Sequence, residues 1–231
     1  QSRIKNGKPT VYGRYGKDIT LLAGDALLFK GLTLLGEAAW KGIPGDKLKV
    51  IIDLVKNTFF ELGDAEALEL LFRSNPNVTP EEYLRVVRKK AADVEAHTRI
   101  SAILGGGSKQ EIETLSGYGR LLGMMIILRD DLIDVIDLEE NIHRVKEECL
   151  PLPILYALQN PKIKPTLNSI LLKKTITKKE AKTILDITSK AGRLEHVGKL
   201  MQKIAIDAYG SVESLKHGQK YFKLLCGAML L

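Results

Sequence analysis

Apolar residues recur along this chain at the spacing of a helix, and almost nowhere at the two-residue spacing of a strand. Residues 1–16 are the exception: polar, broken by Gly7, Pro9, Gly13 and Gly16, and read as a loop. Asp18 then offers an N-cap for an apolar helix over residues 19–39. After a turn at residues 41–46, Val50, Leu54, Phe59 and Leu62 mark a helix over residues 47–73. Thr79-Pro80-Glu81-Glu82 is a helix start with Thr as cap, Pro in the first turn and Glu three residues on. That helix is predicted to run to about Leu104, where Gly105-Gly106-Gly107 ends it. Ser108-Lys109-Gln110-Glu111 opens the next, over residues 109–137. Pro151 and Pro153 break the chain after Glu148, and shorter helices follow over residues 154–159, 165–173, 178–190, 192–209 and 212–229. With no solenoid repeat and no long internal linker, the pattern predicts one all-α domain over residues 1–231, a single large helical bundle.

One segment breaks the apolar pattern in a way that bears on chemistry. Asp130-Asp131-Leu132-Ile133-Asp134 follows a run of apolar residues that begins at Leu121. On a helix, residues four apart share a face, so Asp130 stacks on Asp134, and Asp137 continues the stripe. Like charges so placed repel. A hard divalent cation offsets the cost, and Mg²⁺ takes carboxylate oxygens while sharing its remaining positions with water and substrate phosphates. The stripe therefore suggests a metal–diphosphate site. A solvated acidic helix face explains the same residues without a metal.

Composition narrows the choice. Hydrophobic residues make up 45% and charged residues 27%, as in ordinary globular proteins. The formal net charge is +7, but the basic residues are dispersed and not interleaved with aromatics, which argues against a nucleic-acid surface. They suit an anionic small substrate instead. Cys149 and Cys226 stand far apart without partner motifs, which fits a reducing, cytoplasmic setting. No uninterrupted apolar run reaches the roughly 20 residues that span a bilayer, so no transmembrane segment is expected. The chain opens on Gln1-Ser2-Arg3 without an initiator Met, which suggests that an N-terminal part precedes it.

Three segments then carry a resemblance: Gly7-Lys8-Pro9-Thr10, Leu22-Ala23-Gly24-Asp25-Ala26-Leu27-Leu28, and Arg129-Asp130-Asp131-Leu132-Ile133-Asp134-Val135, in that order. Lys90-Ala91 and Tyr118-Gly119-Arg120-Leu121-Leu122-Gly123 support it. Together they resemble the trans-type isoprenyl diphosphate synthases of the polyprenyl synthetase family, over nearly the whole chain. The resemblance implies the isoprenoid-synthase helical bundle and a Mg²⁺-dependent condensation of isopentenyl diphosphate with an allylic diphosphate. It also implies a homodimer, with a heterodimer of paralogues as the alternative. It assigns Asp130, Asp131 and Asp134 to catalysis, Asp130 and Asp134 to metal, and Lys5, Lys8, Lys90 and Lys146 to the diphosphates.

The sequence departs from that family in places. Its first aspartate motif normally lies just before the GKPT segment, where this chain begins. Lys5 and Asn6 stand where two arginines are usual, Ile126-Ile127 where a Phe-Gln pair is usual, and Lys146 is out of register with the usual downstream lysine. Lys keeps the charge but not the bidentate fork of Arg. Asp25, inside an apolar helix, is expected to need a structural partner. Two alternatives to the synthase follow from these departures and from the fold: a non-catalytic partner subunit, and a terpene cyclase or lyase that does not use isopentenyl diphosphate.

Overall fold

The computed structural model describes residues 3–5 and 7–230, with Lys5 through its backbone alone. Its contacts divide the chain into two units, Gln1–Lys56 and Asn57–Leu231.

In the first unit, β1 (Ile4–Lys5) pairs antiparallel with β2 (Lys8–Pro9) around Gly7, so the predicted loop holds a small hairpin. Helix α1 (Val11–Trp40) begins eight residues before the expected start, at residue 11 against 19. Thr10, not Asp18, is its cap: the Thr10 hydroxyl accepts from the Gly13 N–H at 3.0 Å. The helix is interrupted at Gly16, whose φ of 76° a side chain would make costly. This kink explains the missed start, because the turns before it are polar and carry no apolar period. No residue of α1 is buried, and Leu21, Leu22, Leu27, Phe29, Leu32 and Leu34 are exposed. By length and composition α1 passes the test for a membrane span, with a mean hydropathy of 1.5 over its most apolar window. Buried core helices of soluble proteins, which α1 is not, and signal sequences near an N-terminus pass it too, and Asp25 near its middle would be costly in hydrocarbon. Asp25 is exposed, so it does not need the buried partner expected of it.

Helix α2 (Gly45–Phe72) carries the chain into the second unit. There the expected helix over 79–104 is two helices, α3 (Pro80–Lys90) and α4 (Ala92–Leu104), meeting at buried Ala91 with ψ near 0°. No Gly or Pro marks that break. Both expected capping boxes form. Glu82 and Glu111 accept from the backbone N–H groups of Thr79 and Ser108, whose hydroxyls accept in return. Thr177 and Glu180 build a third at the start of α9 (Lys178–Lys190).

Helix α5 (Lys109–Ile136) is the axis of the unit, with Tyr118, Leu122, Met125, Leu128 and Val135 buried. Helices α3, α4, α6 (Leu138–Glu147), α7 (Leu152–Leu158), α10 (Arg193–Val212) and α11 (Gln219–Met229) pack on it. Helix α7 is apolar on nearly every side, and all its residues except Tyr156 are buried. Helices α8 (Lys164–Leu171) and α9 (Lys178–Lys190) pack beside it. Helix α6 was not anticipated as a separate element. Asp137 makes it one, closing α5 and accepting from the Glu139 and Glu140 N–H groups at 2.9 and 3.3 Å to start α6.

Candidate functional site

The aspartates sit at the C-terminal end of α5, and the helix sends them different ways. Asp130 is exposed. Asp134, one turn on, has a side chain only 20% exposed. Asp131 lies between them in sequence but turns about 100° away from Asp130 and is buried. It accepts from the Tyr83 hydroxyl at 2.9 Å, from the Arg144 guanidinium at 2.7 Å and from the Leu152 N–H at 3.0 Å. Burial pushes its carboxyl above the ordinary range, and Arg144 and the two other donors pull it back. As the chain stands the Asp131 oxygens are occupied by these donors, and the residue ties α5 to α3, α6 and the start of α7. Asp137 is likewise engaged, as the cap of α6.

Arg144, which the sequence did not single out, joins this group. Its Nη2 serves Asp131 and reaches the Tyr83 oxygen at 3.3 Å, and its Nη1 donates to Glu148 at 3.1 Å. Its Nε lies 3.5 Å from an Asp134 oxygen and is buried without a hydrogen-bond partner. Burial raises the Asp134 carboxyl to about 6 against the pull of Arg144. The signal available in the sequence was weak: an arginine ten residues past Asp134, across a helix boundary at Asp137 that periodicity does not reveal.

Two of the candidate diphosphate ligands, Lys90 and Lys146, are held by other partners within the second unit. Lys90 reaches Glu69 at 2.7 Å and Glu66 at 3.3 Å and ties α3 to α2. The Lys146 ammonium donates to the carbonyls of Leu171, at 3.0 Å, and Lys173, which close the end of α8. As the chain stands, both cations are engaged within the protein. Lys8 is exposed on β2. The Lys5 side chain and Asn6 lie outside the described residues. The Tyr118–Gly123 segment proves architectural. Tyr118 donates to the Phe222 carbonyl at 2.8 Å. Arg120 bridges Glu61, at 2.7 and 3.1 Å, and Glu95.

As a test of metal fit, the structure offers two carboxylates one turn apart, one open to solvent and one partly sheltered. That donor set suits one side of a Mg²⁺ that keeps waters and binds substrate phosphates. Among the described residues no group of three His, Cys, Asp or Glu side chains gathers around one point, so the pair is not a self-sufficient cage.

The sequence profile described as polyprenyl synthetase matches residues 1–188. This chain belongs to the polyprenyl synthetase family. Among its relatives in that family, a short chain isoprenyl diphosphate synthase of Methanothermobacter thermautotrophicus is 33% identical over 162 residues, covering 68% of this chain and 49% of that protein. A geranylgeranyl diphosphate synthase of Sulfolobus acidocaldarius is 27% identical over 226 residues, covering 93% of this chain and 68% of that one. The matched segment thus spans about half the length of the first of these relatives. The crystal structure of geranylgeranyl pyrophosphate synthetase from Pyrococcus horikoshii superimposes with a TM-score of 0.84 at 24% identity, covering 99% of this chain and 71% of that one. That likeness establishes the all-α fold of this polyprenyl synthetase-family chain.

Proposed function

We propose that this chain belongs to a Mg²⁺-dependent prenyltransferase that condenses isopentenyl diphosphate with an allylic diphosphate to give a short- or medium-chain isoprenyl diphosphate. The observation that carries the reading is the Asp130–Asp134 pair at the end of α5, open to solvent on one side, in a chain of this family. The names of the relatives, short chain isoprenyl and geranylgeranyl diphosphate synthases, support the substrate class. When bound, Mg²⁺ supplies charge stabilisation to the departing pyrophosphate. Asp130 and Asp134 would hold it from one side. Lys5 and Lys8 remain candidates for contact with diphosphate, whereas Lys90 and Lys146 would first have to leave their present partners. The exposed apolar residues of α1 support assembly as a homodimer or with a paralogue. Two free cysteines are in keeping with a cytoplasmic setting.

Lys5, Asn6 and Ile126-Ile127, which stand where the family usually has two arginines and a Phe-Gln pair, favour one second reading: a non-catalytic subunit that works with a partner. Incubation with radiolabelled isopentenyl diphosphate, an allylic diphosphate and Mg²⁺, beside Asp130→Ala, separates the two. A chain-elongated product that disappears in the variant is the expected result. No product from folded protein with any allylic substrate would transfer the assignment to the partner subunit. Turnover of the allylic substrate alone would point to a cyclase or lyase.

A further inference from the structure

Arg144 stands against the end of α5 that carries Asp130 and Asp134. Its guanidinium is anchored at one end by Asp131, Tyr83 and Glu148, with contacts of 2.7, 3.3 and 3.1 Å. At the other end its Nε faces Asp134 at 3.5 Å and makes no hydrogen bond. The side chain is only 14% exposed, so water does little to screen it. Anchoring matters, because a free arginine could swing out to solvent whereas this one is held by a carboxylate that is itself saturated. A fixed positive charge beside Asp134 orients that carboxylate and opposes a second cation there.

We propose that Arg144 is a positioning residue that sets the divalent-cation affinity of Asp130 and Asp134, keeping it low until a diphosphate brings negative charge to the site. This rests on the metal–diphosphate reading above. Its consequence is ordered binding: the cation arrives with the diphosphate rather than before it.

The test is Mn²⁺ binding by electron paramagnetic resonance, on the whole chain, with and without inorganic pyrophosphate. Wild type is expected to bind Mn²⁺ weakly alone and at least tenfold more tightly with pyrophosphate, on the order that adding several negative charges at short range allows. Arg144→Met is expected to bind Mn²⁺ alone roughly fivefold more tightly than wild type, because the nearest cation is gone. Asp131→Asn/Arg144→Met guards against misfolding. It removes both members of the Asp131–Arg144 pair, so neither is left as a buried charge without its partner, and it is expected to show the same gain. Arg144→Lys keeps the charge and is expected to stay closer to wild type. Unchanged Mn²⁺ affinity in the folded double variant would overturn the proposal. Absence of Mn²⁺ binding in wild type with pyrophosphate, or binding indifferent to Asp130→Ala, would instead overturn the metal–diphosphate reading beneath it.

Discussion

Adjacent residues with the same side chain do opposite work here. Asp130 faces water, whereas Asp131 is held by three donors in the core. Asp131→Ala leaves the Arg144 charge buried without its closest partner, and losing one member of a buried pair costs about 3–5 kcal/mol. Asp130→Ala removes only an exposed carboxylate. Urea unfolding should therefore show a large drop in stability for the first and almost none for the second. Equal losses would refute the division of roles. Asp134 gives a pH signature. Its folded carboxyl titrates near 6, above the ordinary 3.8, because burial disfavours the charge. The folded state thus keeps a proton that the unfolded chain has already released between those values, so this contribution to stability is full below about 4 and is lost as pH rises through about 6. Without added divalent ions, Asp134→Asn is expected to melt above wild type at neutral pH, with the gap closing toward pH ~4. A gap independent of pH would show that burial of the charge is not the cause. The stripe at residues 130 and 134 was legible because helical periodicity needs only the sequence. The inward turn of Asp131 was not, because it depends on Tyr83, Arg144 and Leu152, which are distant in the chain.

Helix starts were legible wherever a cap and its acidic partner lie three residues apart, as at Thr79 and Glu82 and at Ser108 and Glu111. Such motifs are local, and their hydrogen bonds form within one turn. Helix ends and joints were less so. The break at Ala91 has no local marker, and it sits where α5 packs tightly: a Cβ on Gly123 would lie 2.8 Å from that of Ala91. One turn earlier, a Cβ on Gly119 would meet the Thr98 hydroxyl and lie 2.9 Å from the Glu95 Cα and the Val94 carbonyl oxygen. These obstacles are largely backbone and cannot rotate aside, so the two glycines let α4 and α5 meet at backbone distance. Gly119→Val should force the helices apart and cost at least about 1–3 kcal/mol of stability, the usual range for overpacking. Gly117→Val, whose added Cβ meets nothing within 4 Å, is the control and should be neutral or slightly stabilising, because Val has a higher helix propensity than Gly. Comparable melting temperatures for the two variants would count against close packing as the role of Gly119.

At the scale of the whole molecule, the all-α class and the order of the main helices follow from periodicity, composition and caps, and the family follows from segments spread along the chain. These are properties of single helices and short motifs, so the chain displays them before it folds. The basic charge of +7 suggests an anionic substrate. It did not reveal that Lys90 and Lys146 are spent inside the protein, one on glutamates of α2 and the other on the end of α8. By itself, the sequence determined which segments are helical, where most of them start, and that two carboxylates share a face at the end of α5. Only the tertiary structure decided which aspartate is a buried strut, which lysines are engaged, and that Arg144 stands against Asp134. Those outcomes depend on which distant side chains reach one another once helices pack, and periodicity along a chain carries no information about its neighbours across a core.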